Sequence, residues 1–552
     1  MSKAKFILKA SRRLAFFAFL CHTNGRYFLR RTSVNTCYET MLSCIKKDGF
    51  IAYYDHKIPT RRFLRDVEAF CCGLNKLGLS KGDVVTVYLP TCPQSVAAFY
   101  ACSKLGLVAS FVHPLTPVDE LALYIAQTES KALLFYDVLV KDERPLSKLS
   151  VTLVRCSIAD YVTFRKPAYA LYARAIGKRI GGVYTYKQLT SSFAETSVQG
   201  DGNDVVCYMH SGGTSGQPKI VKLSNNAFND TAETIVKMYS PEHFGDNMYL
   251  VTLPVFHAYG LCVSVHTGVV AGFNLGLIPK YEVKAVRRYF AKYHITAWAV
   301  VPAMLTKLIR ADALDDKRFG KLDVIWCGGD VLPESMVEQV DGILAKYSKR
   351  PAKLMRGYGL TETCGVCIVN NYEHYAKNSC GRPIDGCKVE IWDDDGNALG
   401  SNQVGEIVLT ARGIMSGYLD EDDVFVKDGK WIKTGDVGYI DEQGFVYVVD
   451  RKKRMVKISA VNVFPSEVEA CINKLPFVSE TCVVGVKVNG KQYLKAFVTL
   501  TQAMSDDEVT RRIVEHCKAN LIRYSVPRFV QVLNAMPRTK LAKIDYKRLE
   551  QM

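Results

Sequence analysis

From residue 63 onward, apolar positions alternate between helical spacing and short continuous runs. FLRDVEAFCCGLNKLGL carries them at helical spacing and ends at Gly78, so it predicts a helix stopped by glycine. DVVTVYLP predicts a buried strand closed by Pro90, QSVAAFYACSKLG a helix ended by Gly106, and LVASFVHP the next strand. Further strands are expected at ALLFYD, DVVCYMHS, MYLVTLPVF, ITAWAVVP, LDVIWCGG and KLMRGYG, with helical stretches between several of them. This alternation predicts an α/β fold, with largely parallel sheets flanked by helices.

The texture changes after residue 380. CKVEIWDDDGNAL, GEIVLTA and GYIDEQGFVYVVD place the turn signals DDDG and DEQG between short strands, which predicts antiparallel hairpins in a β-rich subdomain. The charge cluster Asp450-Arg-Lys-Lys-Arg454 follows. Beyond it the chain reads as a helix (SEVEACINKL), a hairpin turning at Asn489-Gly490, a helix (DDEVTRRIVEHCKANLI) and a strand (RFVQVL). That is a small α+β unit of about 100 residues, an ordinary domain size. The expected organisation is a basic lead-in over 1–50, a large domain over 51–450 and a small C-terminal domain over 454–552.

Composition narrows the class. The 552 residues are 48% hydrophobic and 23% charged, a globular rather than a disordered profile. Lys and Arg number 72 against 55 Asp and Glu, and the net +17 points to polyanionic partners: nucleic acid, phosphorylated ligands or an anionic membrane. The longest clean apolar run near the start, Leu14–Cys21, is far short of the ~20 residues of a spanning helix. Most of the 18 cysteines lie in apolar segments, as Cys207, Cys327 and Cys482 do, so buried free thiols in a reducing compartment, and hence a cytoplasmic location, are expected. Cys364-Gly-Val-Cys367, with Cys380 and Cys387 downstream, has the spacing of a redox pair or a zinc site. No second C-x-x-C accompanies it, so buried structural thiols are the default reading.

Two basic segments stand apart. Lys3, Lys5, Lys9, Arg12, Arg13, Arg26, Arg30 and Arg31 precede the first acid, Glu39, with the apolar LAFFAFLC behind Arg13. No small-residue cleavage site follows; a transit peptide shares this composition, and a basic amphipathic lead-in helix is the favoured reading. Phe164–Ile180 holds five Lys or Arg, no acid, and interleaved Tyr, Leu and Ile. It reads either as a peripheral membrane contact or as an amphipathic helix packed on its own domain.

The chemistry gathers in a few motifs. His210-Ser-Gly-Gly-Thr-Ser-Gly-Gln-Pro-Lys219 follows an apolar run and supplies glycines, small hydroxyls and a cation, a composition that wraps a polyphosphate. Its spacing is not that of a P-loop. Gly357-Tyr-Gly-Leu-Thr-Glu362, Lys433-Thr-Gly-Asp436 and Pro537-Arg-Thr-Lys-Leu-Ala-Lys543 follow downstream. With these motifs in this order, the chain resembles the adenylate-forming superfamily, from residue 50 to the end. That superfamily comprises acyl- and aryl-CoA synthetases, firefly luciferase and peptide-synthetase adenylation domains. The wording HSGGTSGQPK, KISAVNVFPSEVE and AKIDYKRLE is most similar to bacterial long-chain acyl-CoA ligases.

The resemblance implies a large adenylation domain and a mobile C-terminal lid. It implies attack of a carboxylate on the α-phosphate of ATP, release of pyrophosphate, and transfer of the acyl group to CoA. Ser211, Gly212, Gly213, Thr214, Ser215, Gly216 and Lys219 would hold the phosphates, and Thr361 would bond them. Glu362, with Thr214, would bind Mg²⁺. Tyr358 and Gly359 would meet adenine, Gly329 and Asp330 would border that pocket, and Asp436 with Arg451 would take the ribose hydroxyls. Lys543 would offset charge between the α-phosphate and the attacking carboxylate. Lys453 would be the hinge, Lys457 to Pro465, including Ala460, would face pantetheine, and His257 would stand at the mouth of the acyl pocket.

The chain departs from the family pattern at Gly212, where Ser is usual, and at Ala460 and Ala542, where Gly is usual. The expected activity is ATP- and Mg²⁺-dependent activation of a medium- or long-chain fatty acid and its transfer to CoA. Ala460 keeps open an acyl-AMP ligase serving an acyl carrier protein; an aryl or other acid is a further alternative. A binding module without activity is opposed by Lys543, Glu362 and Asp436, and a nucleic-acid binder by the lack of any motif.

Overall fold

The computed structural model describes residues 35–162, 179–211, 219–238, 247–348, 352–421, 424–458, 461–488, 490–538 and 544–552. The lead-in over 1–34, most of the basic segment at 163–178, the tip of the glycine loop at 212–218, Ala460, Asn489 and Lys543 lie outside them.

The long apolar runs become the centres of two sheets. In the first, Leu354–Tyr358, Val324–Cys327, Ile295–Val300, Met248–Val251, Asn274–Leu277 and Phe50–Tyr53 run parallel, with short antiparallel strands at both edges. In the second, Val205–His210, Val108–Phe111, Val84–Tyr88, Ala132–Tyr136 and Thr152–Cys156 are parallel neighbours. Ile220–Ser224 turns back antiparallel on Val205–His210 and receives the two-residue strand Gly417–Tyr418 on its outer side.

The helix Pro93–Leu105 has no polar face and is buried along its whole length, as expected of a helix enclosed by sheets and other helices. Its one cation, Lys104, is neutralised at 2.6 Å by Glu68. Gly106 closes it in the left-handed conformation, at φ 68°. The core already includes Cys37, Tyr38 and Met41, which lie within the stretch read from the sequence as a lead-in.

The turn-punctuated segments form the third sheet. Lys388–Trp392, Gly405–Thr410, Ile432–Ile440 and Val446–Arg451 are antiparallel throughout. Beyond the charge cluster a separate core forms around Val468, Ile472, Val498, Val509 and Ile513. It is built from the helices Pro465–Ile472 and Asp506–Asn520 and the hairpin Val478–Val488 with Lys491–Leu500, to which Phe529–Val532 adds in parallel.

Two sequence expectations are corrected, while the default reading of the C-x-x-C as buried structural thiols agrees with the structure. MYLVTLPVF is a strand only to Val251; Pro254 then accepts the N–H of His257, and a wide helical segment, Tyr259–His266, begins. A Cβ on Gly260 would lie 2.0 Å from the Pro254 carbonyl oxygen, so that approach requires glycine. Cys364 and Cys367 do not face one another: Cys364 turns to Cys262 and Cys367 to Cys387. The described cysteines are free, and burial pushes Cys71 and Cys92 up to about 12. Among the described residues no group of three or more His, Cys, Asp or Glu gathers as metal ligands, and no helix is long and apolar enough to cross a membrane.

The second correction concerns Arg179, counted above among the cations of the basic segment. It is bound at 2.7 Å to Glu143, whose side chain is fully buried and also accepts from Arg155 at 2.6 Å and from the Ile180 N–H at 3.2 Å. Burial alone would push the Glu143 carboxyl up; the two guanidiniums and the N–H outweigh it and hold it below the usual carboxylate range. Glu143→Ala is expected to cost about 2–3 kcal/mol, because it takes the carboxylate from Arg155 and leaves Arg179 the longer contact to Asp137 at 3.8 Å. A depressed carboxylate stabilises the fold above its unfolded pKa, and that contribution fades as pH falls through its folded value. Urea unfolding should therefore show a gap between wild type and variant at neutral pH that narrows in acid.

Candidate active site

The carboxyl ends of parallel strands in an open α/β sheet leave a crevice where ligands bind. Three predicted segments lie at that edge of the first sheet. The loop with His257 follows Met248–Val251, the Gly329–Asp330 loop follows Val324–Cys327, and the Gly359–Glu362 turn follows Leu354–Tyr358. The Gly359 turn is tight: a Cβ there would sit 2.4 Å from the Cα of Val366. Thr361–Thr363 make one short helical turn, which swings the Glu362 carboxylate out of the sheet end.

The glycine loop reaches this edge from the second sheet. The Ser211 N–H donates to the Lys219 carbonyl at 2.8 Å, and the Lys219 N–H to Ser211 Oγ at 3.2 Å, extending the hairpin of Val205–His210 with Ile220–Ser224. Gly212, Gly213, Thr214, Ser215 and Gly216 lie outside the described residues. The Lys219 ammonium contacts Glu421 at 2.6 Å and lies 4.6 Å above the Tyr418 ring. The Tyr418 hydroxyl donates to Glu362 Oε1 at 2.8 Å, while the Met415 N–H donates to the Glu362 carbonyl at 2.8 Å. Burial and the Glu362 carboxylate raise the Tyr418 phenol. Lys219 and Glu362, 143 residues apart, are thus joined through one tyrosine.

The third sheet supplies the other wall. Asp436 pairs in register with Arg451 across Ile432–Ile440 and Val446–Arg451, and its Oδ1 meets Arg451 Nε at 2.8 Å. Its Oδ2 accepts the Tyr358 hydroxyl at 2.6 Å. Burial raises the Asp436 carboxyl; Arg451 and Tyr358 oppose that rise, and Asp450 and Glu362 add to it. Arg451, Asp436 and Tyr358 form one polar triad and Glu362, Tyr418 and Lys219 a second, drawn together from all three sheets of the large body, and the two lie close enough for Glu362 to act on the Asp436 carboxyl.

Other predicted residues stand off this wall. Asp330 is exposed, and its Oδ1 accepts the Val331 N–H at 2.9 Å. His257 packs 4.9 Å from the Phe256 ring, which lies 4.6 Å from His113. Lys457 faces the Asp394 turn, where Lys452 at 3.0 Å holds the Asp394 carboxyl below the usual range and Lys457 adds to it. Lys453 sits in the short turn Lys452–Arg454 between the third sheet and the small domain. Lys543 and Ala460 lie outside the described residues. Sequence reasoning missed Tyr418 and Glu421, which sit on a two-residue strand and the loop after it and carry no periodic signal.

The Glu362 carboxylate has a neutral hydroxyl on Oε1, and its oxygen chemistry fits a hard divalent cation. The Ser211 hydroxyl and the Lys219 ammonium thus stand at one end of this edge and the buried Asp436 carboxylate at the other. The family model for AMP-binding enzymes matches residues 46–419, and that for the AMP-binding enzyme C-terminal domain matches 467–543. The chain belongs to the AMP-binding enzyme family.

Among its relatives, a long-chain-fatty-acid–CoA ligase of Bacillus subtilis (strain 168) is 27% identical over 521 residues, 90% of each chain. The 4-coumarate–CoA ligase 1 of Arabidopsis thaliana is 28% identical over 498 residues, 85% of each. An o-succinylbenzoate CoA synthetase from Bacillus subtilis, solved with its acyl-adenylate intermediate, superposes with a TM-score of 0.76 at 22% identity, over 94% of this chain and 98% of that one. An anthranilate CoA ligase holding anthranoyl-AMP superposes at 0.79 and 18% identity, with the same coverage.

Proposed function

We propose that the protein is an ATP-dependent acid–CoA ligase, and that its acid is a medium- or long-chain fatty acid. The carrying observation is the polar wall made of two neighbouring triads, Lys219–Tyr418–Glu362 and Tyr358–Asp436–Arg451. The long-chain-fatty-acid–CoA ligases among the relatives support the acid class, while a 4-coumarate–CoA ligase is also among those relatives and a benzoate CoA ligase shares the fold.

In this reading a carboxylate oxygen attacks the α-phosphorus of ATP, and the α–β bridging oxygen leaves with its electron pair as pyrophosphate. Ser211, Lys219 and the intervening loop bind the β- and γ-phosphates, with Lys219 exchanging Glu421 for phosphate oxygen. Glu362 and Thr214 would hold Mg²⁺, which supplies charge neutralisation on the phosphates. Thr361 bonds phosphate, and Tyr358 and Gly359 meet adenine beside the Gly329–Asp330 loop. Asp436 accepts the ribose hydroxyls, with Arg451 keeping its carboxylate charged.

Lys543 then lies against the developing charge. Rotation about Lys453 removes it and brings Lys457 and Ala460 to the pantetheine. The CoA thiol gives up its proton to solvent, its sulfur forms a bond to the acyl carbon, and the bond from that carbon to the phosphate oxygen breaks as AMP leaves with the electron pair. His257 guards the acyl pocket.

A panel of fatty and aryl acids, assayed for pyrophosphate release with and without CoA, tests acid and acceptor together. Release with medium- and long-chain fatty acids, rising when CoA is added, is the expected result. Release confined to aryl acids would overturn the acid class. Stable acyl-adenylate whatever the CoA concentration would favour a carrier-protein acceptor.

The basic segment supports an accessory reading, a contact with anionic membranes. Because Arg179 is committed to Glu143, the cations to neutralise are Arg165, Lys166, Arg174 and Lys178. The quadruple glutamine variant should bind anionic vesicles more weakly, and the difference should shrink as salt rises. Vesicle binding equal to wild type would assign the segment to the protein's own surface.

A further inference from the structure

Arg454 occupies an unusual position, one residue past Lys453, and its side chain is only 17% exposed. Three groups surround its guanidinium. Nη1 lies 3.4 Å from Asp450 Oδ1, Nη2 lies 2.6 Å from Glu469 Oε1, and the plane covers the Tyr546 ring at 4.1 Å. Asp450 is the penultimate residue of its strand in the large body, whereas Glu469 and Tyr546 belong to the small domain.

Asp450 also reaches across by itself. Its Oδ2 accepts the Ser466 N–H at 2.9 Å, in the first turn of the helix Pro465–Ile472, and the Ser466 hydroxyl donates to the Val449 carbonyl at 2.6 Å. The ties over Lys453 therefore converge on one buried carboxylate and its neighbour's carbonyl. At the far end of the arrangement, Tyr546 sits three residues after Lys543. Burial raises its phenol, the stacked Arg454 opposes that rise, and Glu469 and, least, the Asp330 carboxylate of the body add to it.

We propose that Asp450, Arg454 and Tyr546 form a latch that holds the small domain in the arrangement seen here, with Arg454 as the positioning residue. Rotation about Lys453 changes the backbone between Asp450 and Arg454, so it must break their ion pair and the two Ser466 bonds. The Arg454–Tyr546 stack lies wholly within the small domain and survives the rotation. The stack fixes the chain segment following Lys543, while the Asp450 contact decides whether that segment stays over the body. The proposal rests on the two-arrangement reading of the reaction given above, and it adds the residues that set the balance between the two arrangements.

Removing Arg454 outright would leave Glu469 buried without its cation; even with Arg454 present, burial pushes that carboxyl up to about 7. The informative variants are therefore milder. Asp450→Asn removes the charge across the hinge and leaves the Arg454–Glu469 pair intact. Tyr546→Leu removes the ring, and Tyr546→Phe keeps it.

For each full-length variant, adenylate formation is measured from ATP and acid without CoA, and thiolysis from supplied acyl-adenylate with CoA. A distance between one spin label on the body and one on the small domain reports the arrangement. Asp450→Asn and Tyr546→Leu are expected to slow adenylate formation about tenfold, the scale of one desolvated cation–π or ion-pair contact. Thiolysis should hold or rise, and Tyr546→Phe should behave as wild type. Asp450→Asn should also broaden or shift the label distance.

Equal loss in both half-reactions, or no change in either alongside an unmoved label distance, would overturn the latch. Lys543→Ala measured in parallel separates the two ideas. If it spares adenylate formation, the underlying reading fails; if it abolishes adenylate formation while the latch variants stay at wild-type rates, only the latch fails.

Discussion

Lys543→Ala is expected to lower acyl-adenylate formation by about 10²–10³-fold, the cost of removing one preorganised charge partner from a transition state. The reaction joins two anions. A carboxylate approaches the α-phosphorus while a further negative charge leaves on pyrophosphate, and the role proposed for Lys219 is with the leaving phosphates rather than at the point of attack. A second cation is needed where the carboxylate and α-phosphate meet, and Lys543 is the residue proposed for it. In the proposed reading thiolysis uses a different geometry: a sulfur attacks the acyl carbon and AMP departs, after Lys543 would have left with the small domain. Supplied acyl-adenylate should therefore react with CoA at the wild-type rate in the variant. Lys543→Arg keeps the charge but spreads it over a planar fork, so it should recover only part of adenylate formation. Rapid-quench measurement of each half-reaction reads the split, and equal loss in both halves would rule out a moving small domain.

Much of this architecture is legible in one sequence, for reasons that differ along the chain. The parallel strands are recognisable because burial on both faces makes them continuous apolar runs, as in DVVTVY and ITAWAV. The hairpins of the third sheet declare themselves through turn chemistry. Gly396 and Gly444 take positive φ where the DDDG and DEQG signals fall.

The polar wall is legible only in part. Asp436 and Glu362 stand out by motif, but the side chain joining Glu362 to Lys219 does not. Tyr418 acquires its role from the register of a two-residue strand on Ile220–Ser224, a long-range pairing with no local signature. Arg179 fails in the opposite direction. Its neighbours suggest a solvated basic face, and only the fold brings it to a buried glutamate distant in sequence. The C-x-x-C spacing alone would allow a pair, but the lack of a second C-x-x-C favours structural thiols, and the left-handed backbone at Cys364 accordingly leaves the two thiols with different partners.

The second large effect is expected at Asp436. Its carboxylate is buried, charged against Arg451 at 2.8 Å and bonded by Tyr358 at 2.6 Å, so both oxygens are already oriented before a ribose arrives. A hydroxyl pair that donates to such a carboxylate meets a charge-assisted acceptor with little reorganisation left to pay. Asp436→Ala removes the acceptor and strands the Arg451 guanidinium and the Tyr358 hydroxyl beside the nucleotide. Hydrogen bonds to a charged group contribute about 1.5–3 kcal/mol, and losing the pair should lower kcat/KM for ATP by about 10²-fold or more.

The sharper readout is discrimination between nucleotides. The wild-type enzyme should strongly prefer ATP over 2′-deoxy- and 3′-deoxy-ATP, and Asp436→Ala should erase most of that preference, because the variant gains nothing from the hydroxyls. Tyr358→Phe is the control: it removes one bond to Asp436, keeps the aromatic face and the Arg451 pair, and should retain the preference with a smaller loss of rate. If Asp436→Ala still distinguished ATP from its deoxy forms as wild type does, the ribose would be held elsewhere, and the wall from Tyr358 to Arg451 would be structural support rather than a nucleotide site.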